Sequence, residues 1–246
     1  MAGVKLQRRK RRHLWLSVLY RLHRWLPLPP RTRLRIYLDL HWFFARVTHE
    51  ASHRVYGGVD HPMRRDTWEF LQTHVPQMRH VLDLGCGTGE LSNLLAPDVE
   101  TVVGVDHDGR VLERARSAAG ERSGTSAAQF VRGDARDYLE STGTRFDTLL
   151  LSHILEHLDD PGAFLQEHVG FFRHVFIEVP DFEASLHNRL RQLEDRDLIY
   201  LDEDHVSEFG RAELIALLEG AGLRVVASSL RLGVQRYWCE VDGGPQ

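Results

Sequence analysis

The fold of this chain is determined by the stretch Val81-Leu82-Asp83-Leu84-Gly85-Cys86-Gly87-Thr88-Gly89-Glu90. Its apolar run ends in a turn with glycine at every second position, and residues 90–95 then have a composition suited to a helix. A strand, a tight loop and a helix form the first unit of nucleotide-type α/β folds. The glycines permit backbone angles that other residues avoid and let a ligand approach the main chain, while the amides at the helix start add a partial positive field.

The spacing of the loop glycines differs from two common phosphate-binding patterns. Dinucleotide-binding loops have the pattern Gly-x-Gly-x-x-Gly, and Glu90 occupies the last of these positions here. The Gly-Lys-Ser/Thr ending of ATP-binding loops does not follow either. The loop therefore argues against NAD and ATP as ligands.

Polar residues follow three further strand-like runs. Residues 101–105 lead to Asp106, residues 128–131 to Gly133-Asp134-Ala135, and residues 146–151 to Ser152 and His153. In open α/β sheets, ligands bind in the crevice at the carboxyl ends of the strands, so these side chains are expected there. Asp106 lies 17 residues after Gly89, where a carboxylate can accept hydrogen bonds from both hydroxyls of a ribose.

This ordered set resembles the motifs of class I S-adenosylmethionine-dependent methyltransferases over about residues 60–241. Its later members are Glu156-His157 and the Gly-x-Gly-Leu turn at residues 220–223. The resemblance implies an α/β fold: a Rossmann-like sheet of seven strands with helices on both faces, an antiparallel last strand, and S-adenosylmethionine as cofactor. It also implies that Asp83 helps to fix the cofactor, while Asp134 and the amide of Ala135 bind the adenine. The cofactor-binding residues expected from it are Asp83, Gly85, Cys86, Gly87, Gly89, Asp106, His107, Asp134, Ala135 and Ser152.

Two histidines are candidates for the catalytic base. His205 precedes the last long helix in a loop that borders the acceptor in one broad group of the family, and His153 follows the fourth strand. Histidine titrates near neutral pH, and a positioned base accelerates methylation of a hydroxyl acceptor by about 10²–10⁴-fold. Enzymes that methylate amines of nucleic-acid bases commonly carry Asn/Asp-Pro-Pro-Tyr/Phe after the fourth strand. This chain has Ser152-His153-Ile154-Leu155 there, which argues against methylation of a nucleic-acid base without excluding it.

The spelling His153-Ile154-Leu155-Glu156-His157 also matches an inverted zinc-peptidase motif. On a helix, the two histidines would share a face and could bind Zn²⁺. The context favours a methyltransferase, because the stretch follows a buried strand and resembles a Leu-Glu-His-Leu-x-x-Pro segment of that family. We expect no required metal. A divalent ion held by Glu156 and His157, as the resemblance to quinone-pathway enzymes allows, stays open.

Charge is distributed unevenly along the 246 residues. Residues 1–36 contain 11 Lys or Arg and no Asp or Glu, whereas the rest carries 35 acidic and 20 basic residues. Within this arm, one predicted helical face carries large apolar side chains: Trp15, Val18, Leu19, Leu22, Trp25 and Leu26. A basic amphipathic helix of this type can lie on an anionic membrane surface. Packing on the chain's own domain and contact with nucleic acid are the alternatives.

The segment before the glycine loop is expected to be helical, and the resemblance implies that such helices cover the cofactor cleft. The pattern predicts helices over about residues 32–54 and 62–73, with most of their aromatic residues in the core. Those aromatic residues are Tyr37, Trp42, Phe43, Phe44 and Tyr56. We expect residues 1–60 to form a helical extension and residues 61–246 to form the methyltransferase domain.

The predicted function is transfer of a methyl group from S-adenosylmethionine to a hydroxyl of a small molecule, glycan or lipid-linked acceptor. The two alternatives are an RNA methyltransferase that uses the basic arm and a cofactor-binding partner protein without turnover. Two cysteines, Cys86 and Cys239, form no disulfide framework, which fits a reducing compartment. We therefore expect a cytoplasmic location, with a peripheral membrane contact through residues 1–26.

Overall fold

The N-terminal part of the chain is helical. The computed structural model describes residues 13–120, 127–197, 202 and 204–243. Helices α1 (Leu14–Leu22), α2 (Pro30–Tyr56) and α3 (Pro62–Gln72) precede the first strand. Pro30 and Pro62 occupy first-turn positions, where the missing amide hydrogen costs no helical hydrogen bond. The basic cluster of the arm before His13 lies outside the described residues.

A seven-stranded sheet forms the centre of the molecule. Its strands are β1 (His80–Leu84), β2 (Thr101–Asp106), β3 (Gln129–Arg132), β4 (Thr148–Ser152), β5 (His174–Pro180), β6 (Leu223–Arg231) and β7 (Val234–Val241). The strand order is β3-β2-β1-β4-β5-β7-β6. The first five strands pair in parallel, and β7 is antiparallel to both β5 and β6. The seven-stranded α/β sheet with an antiparallel last strand, expected from the sequence, is confirmed.

The strands are apolar along most of their length because both faces of the sheet are covered. The remaining helices are α4 (Glu90–Leu95), α5 (Gly109–Gly120), α6 (Ala135–Thr142), α7 (Pro161–His168), α8 (Leu186–Leu193) and α9 (Arg211–Gly220). One core cluster includes Leu149, Ile177 and Leu214. The other includes Val81, Leu112 and Phe176. Successive residues of each strand therefore point to opposite faces of the sheet and belong to two separate hydrophobic layers.

The aromatic residues of α2 correct one expectation. Tyr37, Phe43, Phe44 and Tyr56 are exposed, and Trp42 is half-buried, so the prediction of a core position was wrong. Within this helix, only Leu38 is buried. An apolar pattern on a helix shows that one face avoids water, but it does not show what that face contacts.

Two other features of the chain bear on the site. Helix α8 lies within the long polar connection after β5 and packs against α2. In the part of the chain that the structure describes, no helix combines the length and the hydrophobicity required to cross a membrane. The division of the chain at residue 60 stays a prediction.

Candidate functional site

The candidate site lies where the strand order changes direction. The chain moves outward from β1 to β2 and β3, and then returns to β4 on the other side of β1. The loops after β1 and β4 consequently diverge and leave a crevice at the carboxyl edge of the sheet. The glycine loop follows β1, and Ser152 and His153 stand at the end of β4.

Two of the loop glycines, Gly87 and Gly89, have different roles. All three loop glycines have positive φ, at 65° for Gly85, 52° for Gly87 and 71° for Gly89. A Cβ atom on Gly89 would lie 2.6 Å from Phe130 Cζ and 2.8 Å from Ala115 Cβ, so this glycine permits the close packing of the loop. A Cβ atom on Gly87 would meet nothing within 4 Å. Gly87 therefore presents bare main chain to open space, as a cofactor-binding loop requires.

Beside this loop is a cavity of about 160 Å³. Its lining residues are Arg64, Asp83, Gly85, Cys86, Gly87, Thr88, Glu90, Leu91 and Ser152. Asp83 is buried and accepts a hydrogen bond of 2.5 Å from Ser92 Oγ. Burial raises the pKa of Asp83 to about 6, against the opposing effect of that hydrogen bond. Five residues expected from the sequence to bind the cofactor thus line one cavity.

Arg64 is a member of this site that the sequence did not predict. Its Nε donates to Glu90 Oε2 at 3.1 Å, and its Nη1 lies 3.5 Å from Ser152 Oγ. It comes from α3, and no motif surrounds it in the sequence. The polar groups of S-adenosylmethionine find matching partners here. The Asp83 carboxylate suits its ammonium group, the Asp106 carboxylate suits its ribose hydroxyls, and the Arg64 guanidinium suits its carboxylate. The open amide region at Gly87 lies beside them. The residues present therefore fit the expected cofactor.

Asp106 connects the loops after β1 and β2. Its Oδ2 accepts a hydrogen bond of 2.9 Å from the amide of Gly87, and its Oδ1 accepts one of 2.9 Å from the amide of Asp108. A carboxylate oxygen has further acceptor capacity, so these contacts orient the group without saturating it. The side chain of His107 next to it is 96% exposed and lies at the outer rim.

The residues expected at the adenine end follow β3. The amide of Gly133 donates to the carbonyl oxygen of Asp106 at 3.2 Å, which joins the turns after β2 and β3. Asp134 is exposed and caps α6, because its Oδ1 accepts a hydrogen bond of 2.8 Å from the amide of Arg136. Ala135 is the first residue of α6. The cap fixes the direction of Asp134 at the end of the crevice away from β4.

His153 is held between two carboxylates. Its Nδ1 lies 2.9 Å from Glu156 Oε1, and its Nε2 lies 3.4 Å from Glu178 Oε1. Burial lowers the pKa of His153, but the hydrogen bonds to these two carboxylates outweigh it and raise the pKa to about 9. Its backbone is left-handed, with φ of 58°. Both ring nitrogens are engaged and the ring is charged at neutral pH, so this geometry suits anchoring the loop better than accepting a proton.

Glu178 belongs to a buried network that ties α3 to the sheet. Arg236 Nε donates to Glu178 Oε2 at 2.5 Å, and Thr67 Oγ1 donates to the same oxygen at 2.5 Å. Ser152 Oγ donates to Glu178 Oε1 at 2.9 Å. Burial raises the pKa of Glu178, but His153 and Arg236 outweigh it and hold the pKa well below its usual range. The floor of the crevice is thus fixed by paired charges.

The second candidate base, His205, lies on the other side of Glu156. Its Nδ1 is 3.1 Å from Glu208 Oε1, and its side chain is only 8% exposed. Burial lowers the pKa of His205, but the hydrogen bond to Glu208 outweighs it and raises the pKa above its ordinary value. The amide of Val206 donates to the carbonyl oxygen of Glu156 at 2.8 Å, so main-chain contact fixes this loop beside the end of β4.

Three potential metal ligands meet at this place. Ligand atoms of Glu156, His157 and His205 lie within 4.8 Å of one another. The arrangement differs from the inverted peptidase motif, because residues 155–157 form a single 3-10 turn and both ring nitrogens of His153 contact carboxylates. Two imidazoles and one carboxylate are a donor set that suits several divalent ions. Such an ion would involve His205 in addition to the pair expected from the sequence.

Comparisons with known proteins identify related sequences. A family model described as a methyltransferase domain matches residues 52–228. The chain is 36% identical over 90 residues to a ubiquinone biosynthesis O-methyltransferase of Paracidovorax citrulli, covering 37% of each protein. It is 27% identical over 128 residues to a tRNA 5-carboxymethoxyuridine methyltransferase of Escherichia coli, covering 50% of this chain and 49% of that protein. The chain spans less than half the length of each of these two relatives.

Solved structures share the fold. Magnesium protoporphyrin IX methyltransferase from Synechocystis PCC 6803 with bound SAH superposes with a TM-score of 0.58 at 17% identity, covering 83% of this chain and 99% of that one. A SAM-dependent methyltransferase from Archaeoglobus fulgidus gives a TM-score of 0.51 at 20% identity, covering 72% and 94%. At these identities, the likenesses show that the fold is shared.

Proposed function

We propose that this chain, which belongs to the methyltransferase-domain family, uses S-adenosylmethionine to methylate a hydroxyl oxygen of a small molecule, a glycan or a lipid-linked acceptor. The observation that carries this choice is the pair of His205 and Glu208 beside Glu156. A hydroxyl must lose its proton as its oxygen is methylated, and an imidazole oriented by a carboxylate serves as the base. The O-methyltransferase among the similar proteins also supports an oxygen acceptor.

When bound, S-adenosylmethionine supplies a methyl group that is already activated on a sulfonium. The chain has to align the acceptor with that methyl group, and such positioning contributes up to about 7–11 kcal/mol. In this proposal, Asp106 accepts the ribose hydroxyls and the main chain at Gly87 lies beneath the cofactor. Arg64 pairs with the carboxylate of the cofactor, and Asp83 balances the ammonium group of the cofactor.

His205 then accepts the acceptor's proton on Nε2. Its Nδ1 faces Glu208, which fixes the orientation of the ring and stabilises the imidazolium that forms. Because the pKa of His205 is raised above 6.5, the base form becomes available only as the pH rises through that raised value. The rate should therefore increase with pH over that range.

The experiment offers labelled S-adenosylmethionine and purified protein to separate small-molecule, glycan, lipid and RNA fractions, and identifies the product by mass spectrometry. We expect a methyl ether. His205→Gln should lower kcat by about 10²–10⁴-fold, remove the pH limb and leave cofactor affinity unchanged. His80→Gln, at the opposite end of β1, is the matched control. An unchanged rate in His205→Gln would contradict the proposed base.

RNA is the second candidate acceptor. The 11 basic and no acidic residues among residues 1–36 provide charge that can contact phosphates. The similarity to a tRNA methyltransferase covers half of this chain. Label appearing in the RNA fraction, with a rate that falls steeply as salt is added, would replace the hydroxyl proposal.

A further inference from the structure

The exposed apolar surface of the molecule is concentrated in its N-terminal helices. Of the 25 large hydrophobic side chains that are exposed in the described residues, 18 lie between residues 14 and 56. A monomeric protein in water rarely exposes a contiguous apolar patch larger than a few hundred Å². This concentration therefore indicates a surface that meets another apolar phase.

Helix α2 is amphipathic with the apolar side facing outward. Its buried residue Leu38 lies on the inner side, whereas the opposite side carries an exposed stripe at helical spacing: Ile36, Leu40, Phe43, Phe44 and Val47. The inner side makes polar contacts with the residues that follow α8. Arg35 Nε donates to Glu194 Oε2 at 3.0 Å, and Asp39 Oδ2 accepts from Arg196 Nη2 at 2.6 Å. Polar residues thus attach this helix to the protein, and apolar residues point away from it.

Helix α1 adds further exposed apolar side chains. None of its nine residues is buried. Trp15 and Tyr20 are exposed on it, and Trp25 follows in a 3-10 turn with 85% of its surface exposed. Tryptophan and tyrosine are enriched at membrane–water interfaces, because their rings are apolar and carry one polar group.

The charge of this region helps to decide which partner covers the exposed apolar side chains: a second copy of the chain, RNA or a lipid bilayer. With 11 basic and no acidic residues in positions 1–36, a symmetric dimer through this face would bring two cationic arms together. RNA would be attracted by the charge, and exposed aromatic rings such as Trp25 can stack on bases, but the aliphatic side chains of the same face, such as Ile36 and Leu40, give RNA neither stacking nor hydrogen bonds. An anionic lipid bilayer offers both negative headgroups and an apolar interior.

We propose that α1, the turn at residues 23–25 and the outer side of α2, together the N-terminal apolar face, lie in the surface of an anionic membrane. The apolar side chains enter the boundary between headgroups and acyl chains, while Arg21, Arg24 and Arg33 contact lipid phosphates. Residues 57–246, with 33 acidic and 18 basic residues, are directed away from the bilayer.

This placement brings the membrane close to the cofactor loop. Helix α2 ends at Tyr56, and a Cβ atom on Gly58 would lie 3.3 Å from Glu90 Oε1 of the helix that follows the glycine loop. Val55 and Tyr56 at that end of the helix are exposed as well. A lipid-linked acceptor could reach the crevice from there; this consequence alone rests on the proposed function.

The test is sedimentation of the full chain with vesicles of equimolar phosphatidylglycerol and phosphatidylcholine. Wild type should bind these vesicles, bind pure phosphatidylcholine much more weakly, and lose part of its binding in high salt. Phe43→Ser combined with Phe44→Ser should weaken binding at least tenfold, because two large apolar groups no longer enter the bilayer. The control is Phe171→Ser, since Phe171 is 49% exposed and Phe43 is 51% exposed.

A second pair of variants tests the charge. Arg21→Glu with Arg24→Glu should abolish the preference for anionic vesicles, whereas Arg110→Glu with Arg114→Glu on α5 should leave it unchanged. Unaltered affinity for S-adenosylmethionine in every variant establishes that the fold is intact. Equal vesicle binding by wild type and the Phe43/Phe44 variant overturns the proposal. So does light scattering that shows a wild-type dimer becoming a monomer in that variant, because a second copy then covers the face.

Discussion

The two sides of the crevice are built in different ways. On the cofactor side, the crevice is formed mainly by main-chain groups and small residues. Its hydrogen bond between Gly87 and Asp106 joins residues only 19 positions apart in the chain. On the other side, where we place the acceptor, polar side chains from β4, β7 and α3 converge on Glu178 of β5. Arg236 approaches Glu178 from 58 positions away, and Thr67 from 111. One side is thus determined locally and the other by tertiary packing.

The difference explains what each side contributes. A loop of left-handed glycines offers amides to a cofactor whose shape is constant within a family. Paired side chains can be exchanged while the sheet beneath them stays the same, so this side of the crevice is where acceptor specificity can vary. Variants on the two sides should therefore change different properties: the packing of the loop and the cofactor affinity on one side, and the pH dependence of stability on the other.

The largest effect is expected in the packing of the cofactor loop. Gly89→Ala places a methyl group against Phe130 and Ala115 and requires a left-handed alanine, so the free energy of unfolding should fall by about 2–5 kcal/mol. Gly87→Ala has a similar φ but an open surrounding, and it should cost about 1–2 kcal/mol. Urea unfolding measures both. Equal losses would show that packing at Gly89 does not restrict the loop.

On the acceptor side, His153→Gln should change how stability depends on pH. The pKa of His153 is raised to about 9 in the folded protein from an ordinary value of 6.5. The stabilisation is therefore fully present below pH 6.5 and is lost as the pH rises through about 9. We expect a loss of roughly 2–3 kcal/mol at low pH and a smaller loss above the raised pKa.

Urea unfolding of wild type and variant at two pH values, on either side of that range, measures this difference. His107→Gln is the control, because its side chain is 96% exposed. A His153→Gln variant that keeps the wild-type pH dependence would mean that another group titrates in this interval.

A smaller change is expected from Asp106→Asn. The amide retains an oxygen that can accept from Gly87, but it offers fewer acceptors to ribose hydroxyls and carries no charge. Affinity for S-adenosylmethionine should fall about tenfold to a hundredfold, as expected for loss of a hydrogen bond to a charged group. Calorimetry measures it. Asp108→Asn should leave the affinity unchanged, since Asp108 accepts from Arg110 at the start of α5.

The sequence predicted the sheet because its strands are local. Runs such as residues 101–105 are apolar along their whole length, as parallel strands covered on both faces must be. The loops after β1, β2 and β3 follow directly from these strands, so the positions of Gly87, Asp106 and Asp134 could be expected as well.

Other features could not be predicted because they depend on distant partners. Arg64 and Arg236 carry no motif, and only folding brings them to Ser152 and Glu178. Phe43 and Phe44 of the outward stripe of α2 were assigned to the core, since helical periodicity is the same for a face that meets protein and one that faces outward. His153 looked like a base until both of its carboxylate partners were known.

Removal of divalent metal should have the smallest effect. Glu156, His157 and His205 lie on a 3-10 turn and a loop, whereas the sheet rests on two hydrophobic clusters that contain none of them. Dialysis against EDTA should therefore leave the midpoint of thermal unfolding and the affinity for S-adenosylmethionine unchanged. Metal analysis of purified protein sharpens the result. Stoichiometric zinc that is lost in His153→Ala and in His157→Ala would restore the peptidase hypothesis. An ion that is lost in His157→Ala and in His205→Ala, but retained in His153→Ala, would instead be bound by the three ligands that the fold brings together.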